Sequence, residues 1–227
     1  MDNKTLQWLA VCLLIGLIAG AAVGYAVAPR DTAAATTVTK SAVNTSTGDF
    51  QKQLTLYQDM RKLWSEHVMW TREYVIAFLD NKSEAPQVAA RLLRNQADIG
   101  NATVPYYGKA ASDQLGALLK EHILVAVDLL DAAKSGNKTK YADADGRWHK
   151  NAVDMATFLG KANPNWNTQA IVGMLNNHLN LTTQEAVAHL NKNYAEDIRL
   201  YDEIYSQILG MSDEISAGII KQFPEKF

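Results

Sequence analysis

Leu54 to Pro86 reads LTLYQDMRKLWSEHVMWTREYVIAFLDNKSEAP, and this stretch decides the fold. Leu54, Tyr57, Met60 with Arg61, Trp64, Val68, Val75 and Leu79 recur at the period of an amphipathic helix. Asn81-Lys82-Ser83-Glu84 breaks the pattern, and Pro86 suits the first turn of a following helix. Inside the stretch, Glu66-His67-Val68 returns as Glu121-His122-Ile123 and, more loosely, as Asn177-His178-Leu179, at spacings of 55 and 56 residues. The first two copies are followed by Arg91, Asn95, Asp98 and by Arg147, Asn151, Asp154, and Asp197-Ile198 echoes Asp98-Ile99. Recurrence at this period marks one supersecondary unit copied in tandem.

Outward from the first hairpin, the pattern stays helical. The second helix is expected to run to about Thr103, where Val104-Pro105 and Gly108 interrupt. A third spans about Ala110–Ala133 and stops at Ser135-Gly136-Asn137; a fourth spans Tyr141–Leu159. A short fifth is read from Thr168 to about Asn180, with Thr182-Thr183-Gln184-Glu185 as the capping box of a last helix reaching Lys221. No segment alternates as a strand would. The expectation is an all-α, antiparallel helical bundle of tandem αα-hairpins: a four-helix core and a third, irregular hairpin.

Three segments follow from composition. Residues 1-29 form an N-terminal transmembrane anchor, because Leu6 to Ala28 carries no charge and is long enough to span a bilayer core. Ala26-Val27-Ala28 also has the form of a signal-peptidase site, but Pro29 would directly follow the cut. The short tail places the N-terminus inside and the C-terminal domain outside, a single-pass protein of the cell membrane. Gly16, Gly20 and Gly24, four apart, would let two such helices approach as a homodimer. Residues 30-49 are an Ala/Thr/Ser-rich flexible stalk, and 50-227 are the extracytoplasmic helical domain. Sequons stand at Asn44, Asn81, Asn101, Asn137 and Asn180. Cys12 is the only cysteine, so the domain has no disulfide and no Cys-x-x-Cys-His for haem c. A net charge of -2 argues against nucleic-acid binding.

Residue counting brings some of the repeated polar groups to one height. His67 is 13 residues before Asp80, and Asp98 is 13 after Ala85; His122 and Asp154 bear the same relation to Ser135 and Tyr141. Both members of each pair therefore lie about 20 Å from their turn. The candidate metal layer is His67, Asp98, His122 and Asp154, with Glu66, Glu121, Asn95 and Asn151 beside it. His178 can reach it from the fifth helix, but the third copy is otherwise read as degraded, since Asn177 replaces the glutamate and Asp197 fits the register poorly. Imidazole with carboxylate suits divalent zinc, iron or manganese better than soft copper. The same layer can instead be architectural, with aspartates accepting from imidazoles and Arg91 and Arg147 neutralising them.

The phrases LWSEHVMWTR (63–72), LLRNQADIGNA (92–102), LLKEHI (118–123) and GIIKQFPEKF (218–227) resemble a family of uncharacterised exported or membrane-anchored helical-bundle proteins of bacteria and archaea. The resemblance covers about residues 50–227. It implies an extracytoplasmic helical domain and brings no activity to any residue. The expected function is a membrane-anchored extracytoplasmic binding module, with a metal ion as its most specific ligand. The alternatives are a structural or interaction protein of the cell envelope and, third, a metal-dependent enzyme.

Overall fold

The computed structural model describes residues 40–227, with side chains from Gly48 onward. The helices are α1 (Lys40–Leu79), α2 (Ala85–Ala102), α3 (Val104–Lys134), α4 (Lys138–Ala162), α5 (Thr168–Leu190) and α6 (Tyr194–Gln222), closed by a 3-10 turn at Pro224–Lys226. The anchor read at 6-28, with Gly16, Gly20, Gly24 and Cys12, lies outside the described residues. No helix among the described residues is long and apolar enough to cross a membrane. Helix α1 begins at Lys40, inside the segment read as a stalk.

Each helix packs on its neighbours in the chain, and α6 packs back on α1, so the six close into a ring. Helices α1, α3 and α5 also touch one another inside it. This replaces the expected four-helix core with an appended pair by three antiparallel pairs, α1/α2, α3/α4 and α5/α6, sharing one interior.

The turns explain why the pairs match. Asn81, Gly136 and Lys192 each take a left-handed conformation, at φ of 58°, 67° and 60°. In each turn the next amide donates back to a helical carbonyl: Lys82 to Ala77 at 2.8 Å, Asn137 to Ala132 and Asn193 to Ala188 both at 2.9 Å. This Schellman arrangement satisfies carbonyls that a helix end leaves orphaned. Asn137 and Asn193 then cap α4 and α6 by accepting from the amides of Lys140 and Glu196.

The third turn overturns the expected break near Asn180. Helix α5 runs unbroken through Thr182-Thr183-Gln184-Glu185, and Thr182 and Glu185 are buried side chains within it, not caps. A helix stops where a residue can turn left-handed and donate backwards. That residue is Lys192.

The interior is layered along α1, α3 and α5. Met60, Leu115 and Ile171, then Trp64, Leu119 and Leu175, line a cavity of about 50 Å³. Thr71, Ala126 and Thr182, then Val75, Leu130 and Ala186, line a second of about 20 Å³ nearer the turns. One layer, between these two sets, remains.

Candidate metal centre

That layer is His67, His122 and His178. Each stands twelve residues before the last residue of its helix (Leu79, Lys134, Leu190), about 18 Å below equivalent turns. Equal depth on three mutually touching helices brings the rings together. Their centroids are 6.4 Å (His67 to His122), 5.8 Å (His67 to His178) and 6.3 Å (His122 to His178) apart. One nitrogen from each lies within 4.8 Å of the others, the one metal-capable group of this kind among the described residues. All three side chains are buried, at 2–3% exposure. Trp64 meets His67 edge-on at 5.7 Å, and Trp148 lies 5.2 Å from His122.

Carboxamides on the even-numbered helices set the tautomers. Asn151 Nδ2 donates to the Leu118 carbonyl at 3.1 Å, so its Oδ1 must be the atom facing His122 Nδ1, also at 3.1 Å. Gln207 repeats the arrangement: Nε2 donates to the Met174 carbonyl at 3.1 Å, and Oε1 faces His178 Nδ1 at 3.2 Å. An amide oxygen only accepts, so Nδ1 carries the proton on both rings and Nε2 keeps its lone pair. In the first pair the two tasks are divided. Asn95 Nδ2 holds the Leu63 carbonyl at 3.0 Å, while Gln96 stands where Asn151 and Gln207 stand relative to their histidines. His67 Nδ1 and Gln96 Oε1 are both buried without partners, so pairing them would complete the same arrangement in the first copy.

Burial keeps these rings neutral. It pushes His122 down to about 3, helped by His178, and His178 down to about 4. His67 falls well below the ordinary histidine value, by burial first and then by the other two imidazoles. Neutral imidazole is the metal-binding form. With bonds of about 2.0–2.1 Å, three nitrogens around one ion are about 3.5 Å apart, so each moves about 0.8 Å or less from a 4.8 Å triangle. Side-chain torsions can supply that.

The carboxylates expected in the layer are elsewhere. Asp98 is partly exposed, and Asp154 accepts from Lys150 at 2.5 Å on the outer face. Glu66 is held by Lys62 at 2.6 Å and Arg91 at 2.9 Å, and Glu121 is exposed. Arg147 pairs with Asp128 and Asp143 rather than with Asp154. The physical reason is rotation for one and position along the helix for the other: Asp98 is two residues past Gln96, about 200° round the helix, and Asp154, three past Asn151, is about 4.5 Å further along and turned by about 60°. His178, read as part of a degraded copy, is a full member. Its depth is misjudged only if α5 is ended too early. Gln96 and Gln207 were missed, although a constant 29-residue offset from histidine to carboxamide (67 to 96, 122 to 151, 178 to 207) marks them.

A second buried polar centre lies between α1, α5 and α6. Arg72 donates to Glu185 and, at 2.6 Å, to Asp197, with its guanidinium 4.7 Å from the centroid of the Tyr201 ring. His189 Nδ1 is 2.9 Å from Asp197, and its Nε2 is 3.2 Å from Asp80. Burial pushes the Glu185 carboxyl up to about 7, with Arg72 opposing.

Comparison with protein-family models, curated proteins and solved structures finds no match.

Proposed function

We propose that this chain is a membrane-anchored, extracytoplasmic helical module that holds one transition-metal ion on His67, His122 and His178. The observation that carries the reading is the convergence of three neutral, buried imidazoles from three helices, two with Nδ1 committed to a carboxamide. Holding the second nitrogen is how proteins orient a metal-ligating histidine. Of the divalent ions expected from the sequence, zinc and iron accept an imidazole set. Manganese relied on carboxylates that stand outside the group. The extracytoplasmic placement rests on the uncharged Leu6 to Ala28 segment.

The rival reading, an envelope protein whose polar layer only sets helix register, draws support from the same carboxamide bonds, which hold Nδ1 of His122 and His178 without an ion. The test is metal analysis of the full-length chain, purified in detergent without chelator or affinity histidines. It is run beside His67→Gln, His122→Gln and His178→Gln, with helicity checked by circular dichroism. One ion per parent chain, lost from each folded variant, supports the metal centre. A folded parent that takes up none after reconstitution supports the rival.

A further inference from the structure

We propose that the centre selects cuprous copper over divalent metals. This rests on the metal-centre reading above and names the ion. The ground is charge. The group contains three imidazoles and no carboxylate or thiolate. The groups behind the rings are carboxamides, Asn151 and Gln207, with Gln96 in the corresponding place, where many divalent sites use carboxylates. Of the acidic side chains along the inner helices, Glu66 beside His67 is held by Lys62 and Arg91, Glu121 beside His122 is exposed, and Glu185 is held by Arg72. An ion here must be solvated by neutral donors in an apolar surround. The cost of burying charge rises with its square, so a divalent ion costs about four times as much as a monovalent one of similar size.

Coordination number points the same way. Zinc takes four ligands, so a three-histidine site leaves one position for water or substrate. The layer below the histidines is Trp64, Leu119 and Leu175, none of which supplies a ligand for zinc. Cuprous copper accepts three nitrogens alone. Methionine thioethers are soft donors of the kind that favour cuprous copper, and Met60, Met155, Met174 and Met211 line the cavity beyond that layer. The expectation of zinc, iron or manganese followed from pairing imidazole with aspartate. Without the aspartates the preference reverses. The competing arrangement is zinc completed by a water near Thr182, whose buried hydroxyl has no partner and which lines the turn-side cavity.

The experiment is a pair of competition titrations on the full-length chain in detergent. Cuprous ion is titrated anaerobically against a colorimetric chelator, and zinc against a fluorescent one. The expected result is one cuprous ion per chain, bound about tenfold or more tighter than zinc, and lost in each single histidine-to-glutamine variant that keeps its helicity. Gln207→Glu places a carboxylate behind His178 and should move the ratio toward zinc by about tenfold or more. Zinc binding more tightly than copper in the parent would overturn the proposal while leaving the metal centre standing. So would copper that stays bound in all three variants, which would place it elsewhere and remove support for the histidine centre as well. A well-folded parent that binds neither ion would end both readings.

Discussion

The histidine layer and the Arg72 cluster are both buried, both polar and both built from helices distant in sequence, yet they balance their charge in opposite ways. The cluster carries its own cation: Arg72 is shared by Glu185 and Asp197, and His189 is set between Asp197 and Asp80. Among the described residues it occurs once, where α5 and α6 meet α1 and the ring closes. The histidine layer sets three neutral rings at matching depth on three helices, one nitrogen of each within 4.8 Å of the others, with no carboxylate in the group. A cluster that carries its own cation can serve closure alone. Three clustered imidazoles with no countercharge suit a cation from outside.

That contrast is broken most forcefully at Arg72. Arg72→Ala leaves Glu185 and Asp197 buried without their cation and should cost about 3–5 kcal/mol in chemical denaturation. Replacing Arg72, Glu185 and Asp197 together by apolar residues of similar volume should cost far less. An equal cost would mean that packing, not charge, sets the cluster's contribution.

Asn151→Leu attacks the other centre. It orphans the His122 Nδ1 proton, for about 1–3 kcal/mol, removes a second donor from the helical Leu118 carbonyl, and should also weaken metal binding about 10–100-fold. Loss of stability with unchanged metal affinity would contradict the orienting role of the carboxamide.

Protons act on the two centres in opposite directions. The three histidines titrate in the fold below their ordinary value of 6.5, so the unfolded chain binds more protons and their contribution to apoprotein stability falls as pH drops below about 6.5, toward about 3 for His122 and about 4 for His178. Glu185 is raised from 4.5 to about 7, so its contribution declines as pH rises through that interval. The two windows overlap, and three histidines outweigh one glutamate there, so denaturation midpoints should rise with pH toward neutrality and Glu185→Gln, which removes the opposing contribution, should steepen that rise.

The smallest expected effect leaves both centres intact. Lys192 holds a left-handed conformation that glycine holds more easily, as Gly136 does in the equivalent turn. Lys192→Gly should gain about 0.5–1 kcal/mol with metal affinity unchanged. A shift in metal affinity would show that turn geometry reaches the histidine layer.

Much of this was readable from residue order. The stripe through Trp64 and Val68, the turns at Asn81 and Gly136, and the recurrence of His67 at His122 and His178 are local signals, carried by helical period and turn chemistry. Depth followed too, because each residue advances a helix by about 1.5 Å, and counting from a correctly placed turn ranks His67 and His122 together. The third copy was lost because Thr182-Thr183-Gln184-Glu185 has the composition of a cap, and composition does not say whether a threonine faces a neighbouring helix.

The sequence by itself determined an all-helical chain, its first two hairpins and three histidines at a common period. Only the tertiary structure decided that α6 returns to α1, that Asn151 and Gln207 rather than carboxylates stand behind their rings, and that Arg72 is matched by Glu185 and Asp197. The physical reason is that position along a helix is counted by the chain, whereas rotation about its axis is set by packing against every neighbour at once. About 100° separates successive side chains, so one step decides between a metal ligand and a surface charge.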